Sequence, residues 1–192
     1  METNAKSNRA GLFIGGVLLA WILYLAFFGP RAGSGGALGA PDLAGGPHGQ
    51  AVYDWRIQDL AGKEVGFDSF QGKTVFLNRW ATWCPPCVAE LPAIAKLARS
   101  SRLKNVVFVL ISDEPAETIQ AFARRKSLDL PFYHVDAREL PSVFDSEGIP
   151  ATFLIAPDGR VAVRQIGSAQ WDDPSVIDYL EGLSRTSVAA AE

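Results

Sequence analysis

Apolar and polar positions follow regular patterns along residues 51–185 and predict one α/β domain. Continuous apolar runs at 74–80 and 105–112 are typical of strands buried in a central sheet. Apolar residues spaced three and four apart predict a helix over 88–99. The other patterns predict strands at 52–59, 63–67, 132–135, 152–156 and 161–166, and helices at 115–126, 138–144 and 173–182. This order predicts a mixed central sheet flanked by helices on both faces, with an N-terminal β-hairpin extension.

The N-terminal part of the chain has a different pattern, an uncharged apolar run at 12–28. Such a run can form a short transmembrane anchor, and Lys6 and Arg9 assign residues 1–11 to a short cytoplasmic tail. The alternative is a cleaved signal peptide, with a loose cleavage signal at Ala37-Leu38-Gly39. Under both interpretations the domain lies outside the cytoplasm.

The segments on either side of the domain lack a hydrophobic period. Residues 29–50 are rich in Gly, Ala and Pro, and we expect them to form a flexible linker between membrane and domain. We expect residues 186–192 to form a disordered tail. The folded domain is therefore predicted to span residues 51–185.

Composition argues against several classes of function. The net charge is −3 and basic residues form no run, which argues against a nucleic-acid partner. Two cysteines are too few for a disulfide-rich scaffold. His48 and His134 do not complete the spacing of a zinc site, so we expect neither a metal nor a cofactor.

The two cysteines form the motif Trp83-Cys84-Pro85-Pro86-Cys87, between the predicted strand at 74–80 and the helix that follows. Unpaired N–H groups and the dipole at a helix start favour a thiolate. The motif therefore indicates a redox-active Cys84–Cys87 pair. We expect an exposed Cys84 to attack a partner disulfide and Cys87 to resolve the mixed disulfide. An inert bridge is the alternative, but so short a loop gains little chain entropy.

Residues on both sides of the cysteines extend this motif. The first stretch is Asn78-x-Trp80-Ala81-Thr82-Trp83-Cys84-Pro85-Pro86-Cys87-x-x-Glu90-x-Pro92. The second is Gly148-Ile149-Pro150-Ala151-Thr152-Phe153-Leu154, followed by Pro157-Asp158-Gly159. Together they resemble the TlpA/ResA-like membrane-anchored thiol–disulfide oxidoreductases, and the resemblance covers residues 52–184. It implies a thioredoxin-like fold.

The resemblance also implies an active-site rim. Ile149 and Pro150 match the family's cis-proline loop, so we expect a cis peptide bond whose flanking backbone pairs with an extended substrate segment. Trp83, Pro85 and Pro86 are expected to contribute to the same rim, beside the sulfurs.

Glu90, one helical turn after Cys87, is the third candidate catalytic residue. The family carries a glutamate here that modulates the cysteine pKa values and proton transfer; a solvated glutamate, or one paired with a basic residue, is the alternative. Asn78 occupies the position of a buried aspartate in cytosolic thioredoxins, and an amide cannot accept that proton. Arg79 requires a partner near the sheet, and we interpret His134 as structural.

These observations predict a thiol–disulfide oxidoreductase in the bacterial inner membrane, with its catalytic domain in the periplasm. We expect a reductase of protein disulfides whose dithiol is restored by a transmembrane electron donor. The family serves cytochrome c maturation, so apocytochrome c is one candidate partner.

Two other classes remain as alternatives. One is a peroxiredoxin-like peroxidase, although Leu77 and Ala81 stand where its Pro-x-x-x-Thr-x-x-Cys pattern has proline and threonine. The other is a non-enzymatic metal carrier, because an exposed CxxC can bind Cu(I).

Overall fold

The structure, a computed structural model, describes residues 38–44, 46 and 48–186, with only the backbone of Thr186. The predicted anchor at 12–28 and all of the tail predicted at 186–192 except Thr186 lie outside the described residues. Within the described part, none of the helices combines the length and the apolar character that crossing a bilayer requires.

The described strands form one seven-stranded mixed sheet: β1 Arg56–Asp59, β2 Glu64–Gly66, β3 Thr74–Arg79, β4 Val106–Ser112, β5 Phe132–His134, β6 Ala151–Ile155 and β7 Val161–Ile166. The order across the sheet is β2-β1-β5-β4-β3-β6-β7. Strands β3, β4 and β5 are parallel, whereas β6 is antiparallel to β3 and β1 to β5. The predicted mixed sheet and its N-terminal hairpin, β1–β2, are therefore confirmed.

The α-helices of the described part, α1 Pro85–Ala98, α2 Ala116–Lys126 and α3 Pro174–Thr186, pack on the same face of the sheet. Their buried residues, such as Leu91, Ile119 and Leu180, share one apolar cluster with Phe76 and Leu110 of the sheet. The face of the sheet on which α1 packs is therefore the face that carries all three α-helices of the described part.

The opposite face is covered differently from the prediction. Its cluster includes Phe67 and Phe144, from the 3-10 helices Phe67–Phe70 and Ser142–Phe144, and Trp55, which stacks on Phe67 at 4.4 Å between ring centroids. A short helix was predicted at 138–144, but only its last turn forms. The reason is Pro141, which disfavours helical geometry in the residue before it. Helices were predicted on both faces of the sheet. On this second face the described helical residues form only short 3-10 helices.

Part of the segment predicted as a flexible linker packs on the domain. The carbonyl of Gly39 accepts a hydrogen bond from Gln170 N at 2.8 Å, and His48 N and Gly49 O pair with the backbone of Val161 at 2.8 and 2.9 Å. Pro41 is buried. The packed part of the chain therefore begins earlier than the predicted residue 51.

Candidate active site

The cysteines lie where β3 gives way to α1. Cys84 is the N-cap of the helix, and its Sγ accepts a hydrogen bond from Cys87 N at 3.3 Å. Pro85 and Pro86 occupy the first helical positions, where an N–H would have no partner within the helix. The two sulfurs are joined in a disulfide, with an S–S distance of 2.16 Å. The predicted pair is therefore covalently linked in this state.

The prediction that Cys84 is exposed is wrong for this disulfide state. Cys84 is 3% exposed and Cys87 is fully buried. The neighbouring Trp83 is 70% exposed, and Pro85 and Pro86 are also exposed. Of the predicted rim, Trp83, Pro85 and Pro86 thus project around a recessed sulfur, whereas Ile149 is half-buried and Pro150 is buried. Cys84 remains the more accessible of the two cysteines.

The second part of the rim is the loop before β6. The Ile149–Pro150 peptide bond is cis, as expected. The carbonyl oxygen of Ile149 lies 3.7 Å from Cys84 Sγ. Next to this loop is a groove of about 140 Å³, whose lining includes Trp83, Ile149, Leu140 and Asp113. The groove passes beside the residue that precedes Cys84.

Glu90 is fully buried on α1 and accepts hydrogen bonds at both carboxylate oxygens. Asn78 Nδ2 donates to Oε1 at 3.0 Å, and Ala169 N and Trp171 Nε1 donate to Oε2 at 3.0 and 2.8 Å. Burial raises the pKa of Glu90 from its ordinary value of 4.5 to about 7, and the three hydrogen bonds oppose that rise. The group can therefore hold or release a proton close to neutral pH.

The environment of Glu90 excludes both simpler interpretations, a solvated glutamate and a glutamate paired with a basic residue. Its donors are neutral groups, and the side chain is removed from solvent. Asn78, also buried, links it to the sheet, because the same amide nitrogen donates to Thr152 Oγ1 at 2.8 Å across the β3–β6 pair. Asn78 therefore acts as a donor to the carboxylate.

Sequence reasoning missed two parts of this site. Ala169 and Trp171 lie 79 and 81 residues from Glu90, and no periodicity connects them to it. Glu114 accepts hydrogen bonds from Thr82 N and Thr82 Oγ1, both at 2.6 Å, and so fixes the residue before Trp83. Its position two residues before the start of α2 gave no signal of that contact.

Arg79 has the partners that its position requires. Its Nη1 donates to Phe144 O at 3.2 Å, to Asp145 Oδ1 at 3.3 Å and to Ser146 Oγ at 3.1 Å. The charge is therefore compensated at the edge of the face opposite Glu90.

No metal-ligand set is apparent in the part of the chain that the structure describes. There, no group of three or more His, Cys, Asp or Glu side chains is placed so that it could hold a metal ion. His134 Nδ1 lies 2.9 Å from Glu114 O, which fits a structural role. The two sulfurs, the strongest metal ligands in the sequence, are bonded to each other.

Comparison with known proteins places this geometry in a family. Residues 48–164 match the AhpC/TSA family. The thiol–disulfide oxidoreductase ResA of Bacillus thuringiensis subsp. konkukian (strain 97-27) is 32% identical over 137 residues, which cover 71% of this chain and 78% of the relative. A candidate thiol–disulfide oxidoreductase of Bacteroides vulgatus is 26% identical, with a TM-score of 0.59 over 70% of this chain and 96% of that one.

The fold has a further counterpart in StoA of Bacillus subtilis, which is 21% identical. It has a TM-score of 0.55, and the match covers 69% of this chain and 98% of StoA. The thioredoxin-like fold and the resemblance inferred from the cysteine motif are thus confirmed. The chain belongs to the AhpC/TSA family and to the ResA-like thiol–disulfide oxidoreductases.

Proposed function

We propose that this protein reduces disulfides in partner proteins outside the cytoplasm, with Cys84 as nucleophile, Cys87 as resolving thiol and Glu90 as the group that moves the proton. The observation that carries the proposal is Glu90. It is buried one helical turn after Cys87, and its pKa is raised to about 7. A carboxyl with this pKa can exchange a proton with a thiol near neutral pH.

The reaction balances as a two-electron exchange. The Cys84 thiolate attacks one sulfur of the partner disulfide, forms a mixed disulfide and releases the other partner sulfur as a thiolate, which takes up a proton. Glu90 as carboxylate accepts the proton of Cys87. The Cys87 thiolate then attacks Cys84 Sγ and releases the second partner sulfur as a thiolate, which takes up the proton that Glu90 holds. The partner becomes a dithiol and the Cys84–Cys87 disulfide forms.

The rim supports a protein substrate. Trp83 presents a largely exposed indole beside the recessed Cys84, and the groove continues from it past Ile149. We propose that an extended partner segment lies along this rim and brings its disulfide to Cys84. Pro85 and Pro86 form the outer side of the same contact.

The cellular setting belongs to the same proposal. The apolar run at 12–28 supports a membrane anchor with residues 1–11 in the cytoplasm, residues 29–37 as tether and the domain in the periplasm. A transmembrane electron donor then reduces the Cys84–Cys87 disulfide again. Apocytochrome c, with its CxxCH motif, is the partner to test first, because cytochrome c maturation is the role that the family resemblance implies.

Trapping of the mixed disulfide tests the roles of the two cysteines. In the full chain, Cys87→Ser leaves Cys84 joined to its partner, so disulfide-linked adducts accumulate in membranes and disappear on reduction. The matched control is Cys84→Ser, which leaves a single buried thiol and yields no adducts. Adducts with Cys84→Ser but not with Cys87→Ser would overturn the assignment.

The direction of electron flow is tested by equilibration with glutathione. A reductase has a low potential, so its disulfide persists in buffers that already reduce strong oxidants. A potential as high as that of the strong periplasmic oxidants would refute the reductase proposal. Rapid peroxide turnover by the reduced protein would favour the peroxidase alternative, and stoichiometric metal in the purified reduced protein would favour the metal carrier.

A further inference from the structure

We propose that Trp171 is a positioning residue that sets the proton affinity of Glu90. The inference rests on the proposed proton role of Glu90 and concerns a residue far from it in the sequence. Trp171 Nε1 donates to Glu90 Oε2 at 2.8 Å, and the indole is fully buried. The contact joins the segment before α3 to the helix that carries both cysteines.

The chemistry of the donors decides which protonation state of Glu90 the contact stabilises. An indole N–H can donate a hydrogen bond but cannot accept one. The backbone N–H of Ala169 and the amide nitrogen of Asn78, which also contact Glu90, are donors too. Each of these bonds is stronger to a carboxylate than to a carboxylic acid. Trp171 therefore stabilises the charged form, against the effect of burial.

Trp171 is held in a fixed place. Its ring packs edge-on against Phe76 of β3, with 5.0 Å between centroids and an interplanar angle of 87°. The loop that contains it, residues 167–171, is held by two backbone hydrogen bonds. Gly167 N donates to Pro150 O and Gln170 N donates to Gly39 O, each at 2.8 Å. The indole donor is therefore placed in advance of any change in the charge of Glu90.

Few titratable groups lie near Glu90, so a pH-dependent signal at this place has few sources other than Glu90 itself. Asn78 of β3 and Ala169 and Trp171 of the 167–171 loop donate to Glu90, and Cys87 lies one helical turn earlier on α1. Among these only Cys87 titrates, and it is disulfide-bonded in the oxidised protein. Next to Trp171, Asp172 pairs with Lys96 of α1 at 2.7 Å, so these two charges compensate each other.

The test is a side-chain carboxyl NMR titration of the oxidised full-length protein in detergent, with ¹³C-labelled glutamate and Glu90→Gln to assign the signal. In Trp171→Phe the Glu90 midpoint should rise by about one pH unit, a tenfold change in proton affinity, because one charge-assisted hydrogen bond is lost. Trp55→Phe is the matched control. It removes another buried indole donor, bonded to Val52 O at 2.9 Å, on the opposite face, and should leave the midpoint unchanged.

A second measurement needs no change in the core. In the wild-type protein the indole N–H resonance of Trp171 should shift with pH at the same midpoint as Glu90, and in Glu90→Gln that shift should vanish. An unchanged Glu90 midpoint in Trp171→Phe, an equal rise in Trp55→Phe or an indole resonance that does not follow pH would each overturn the inference.

Kinetics separates this inference from the proposed function. Reduced protein treated with a chromogenic aromatic disulfide releases one thiol when Cys84 attacks and a second when Cys87 resolves. The pH profile of the second release should move upward in Trp171→Phe and disappear in Glu90→Gln. If Glu90→Gln leaves that profile unchanged, the proton role of Glu90 fails. If Glu90→Gln removes it and Trp171→Phe does not move it, only the positioning role of Trp171 fails.

Discussion

Two glutamates flank the cysteine motif, and the protein holds them in different surroundings. Glu90 lies behind Cys87, fully buried, with one amide, one backbone and one indole donor. Glu114 follows β4 and is half-buried. Both of its carboxylate oxygens accept hydrogen bonds from Thr82, two residues before Cys84. At Glu90 the effect of burial exceeds that of three hydrogen bonds, so its pKa rises. The hydrogen bonds of Glu114 thus fix a loop, whereas the burial of Glu90 makes its carboxyl responsive near neutral pH.

The largest expected effect is that of Glu90 on the pH dependence of stability. The folded-state pKa of Glu90 is raised from 4.5 to about 7, so the folded protein binds more protons than the unfolded chain in that window. Its stabilising contribution is complete below about pH 4.5 and is lost as pH rises through 7. Relative to Glu90→Gln, the unfolding free energy of the wild type should fall by about 3 kcal/mol across this window. Urea unfolding of the oxidised protein at several pH values measures it, and parallel curves would contradict the assignment.

Removal of Glu114 should have a smaller effect, of a different kind. Glu114→Ala leaves Thr82 N and Thr82 Oγ1 without their acceptor, so we expect a loss of about 2 kcal/mol at pH 7. Amide hydrogen exchange at Thr82 should become faster, while the Glu90 titration midpoint stays in place. A shift of that midpoint in Glu114→Ala would show that the two carboxylates are coupled and would remove the contrast between them.

The smallest expected effect comes from the hydroxyl of Thr82. Thr82→Val keeps the backbone donor to Glu114 and removes the side-chain donor, which should cost about 1 kcal/mol. Thr118→Val on the exposed side of α2 is the matched control, with the same chemical change at a solvated position. Equal losses in the two variants would mean that the Thr82 hydroxyl contributes nothing specific.

Local patterns in the sequence predict the parts of this molecule that depend on local order. The apolar runs at 74–80 and 105–112 predict β3 and β4, because strands buried on both faces need apolar residues throughout. The cis peptide bond at Pro150 was expected only through the family resemblance, since a proline in a turn is trans by default.

Contacts between distant segments could not be predicted in the same way. Trp171 meets Glu90 across 81 residues, and Arg79 meets Asp145 across 66, and these pairs depend on how the sheet and loops are assembled. The burial of Cys84 was missed for a related reason. Its accessibility depends on the Ile149 loop that closes beside it as well as on its place at the helix start.

The last residues of β3 have a consequence for how this strand can change. Successive side chains of a strand point to opposite faces, so Asn78 reaches Glu90 on one side while Arg79 reaches Phe144 and Asp145 on the other. Which face each side chain of this strand reaches therefore depends on whether its position is odd or even. Inserting or deleting one residue would turn the guanidinium toward the buried carboxyl and the amide toward the opposite face, damaging two unrelated networks at once. We expect relatives to differ by substitutions between Thr74 and Cys84, and to have no insertion or deletion of a single residue there.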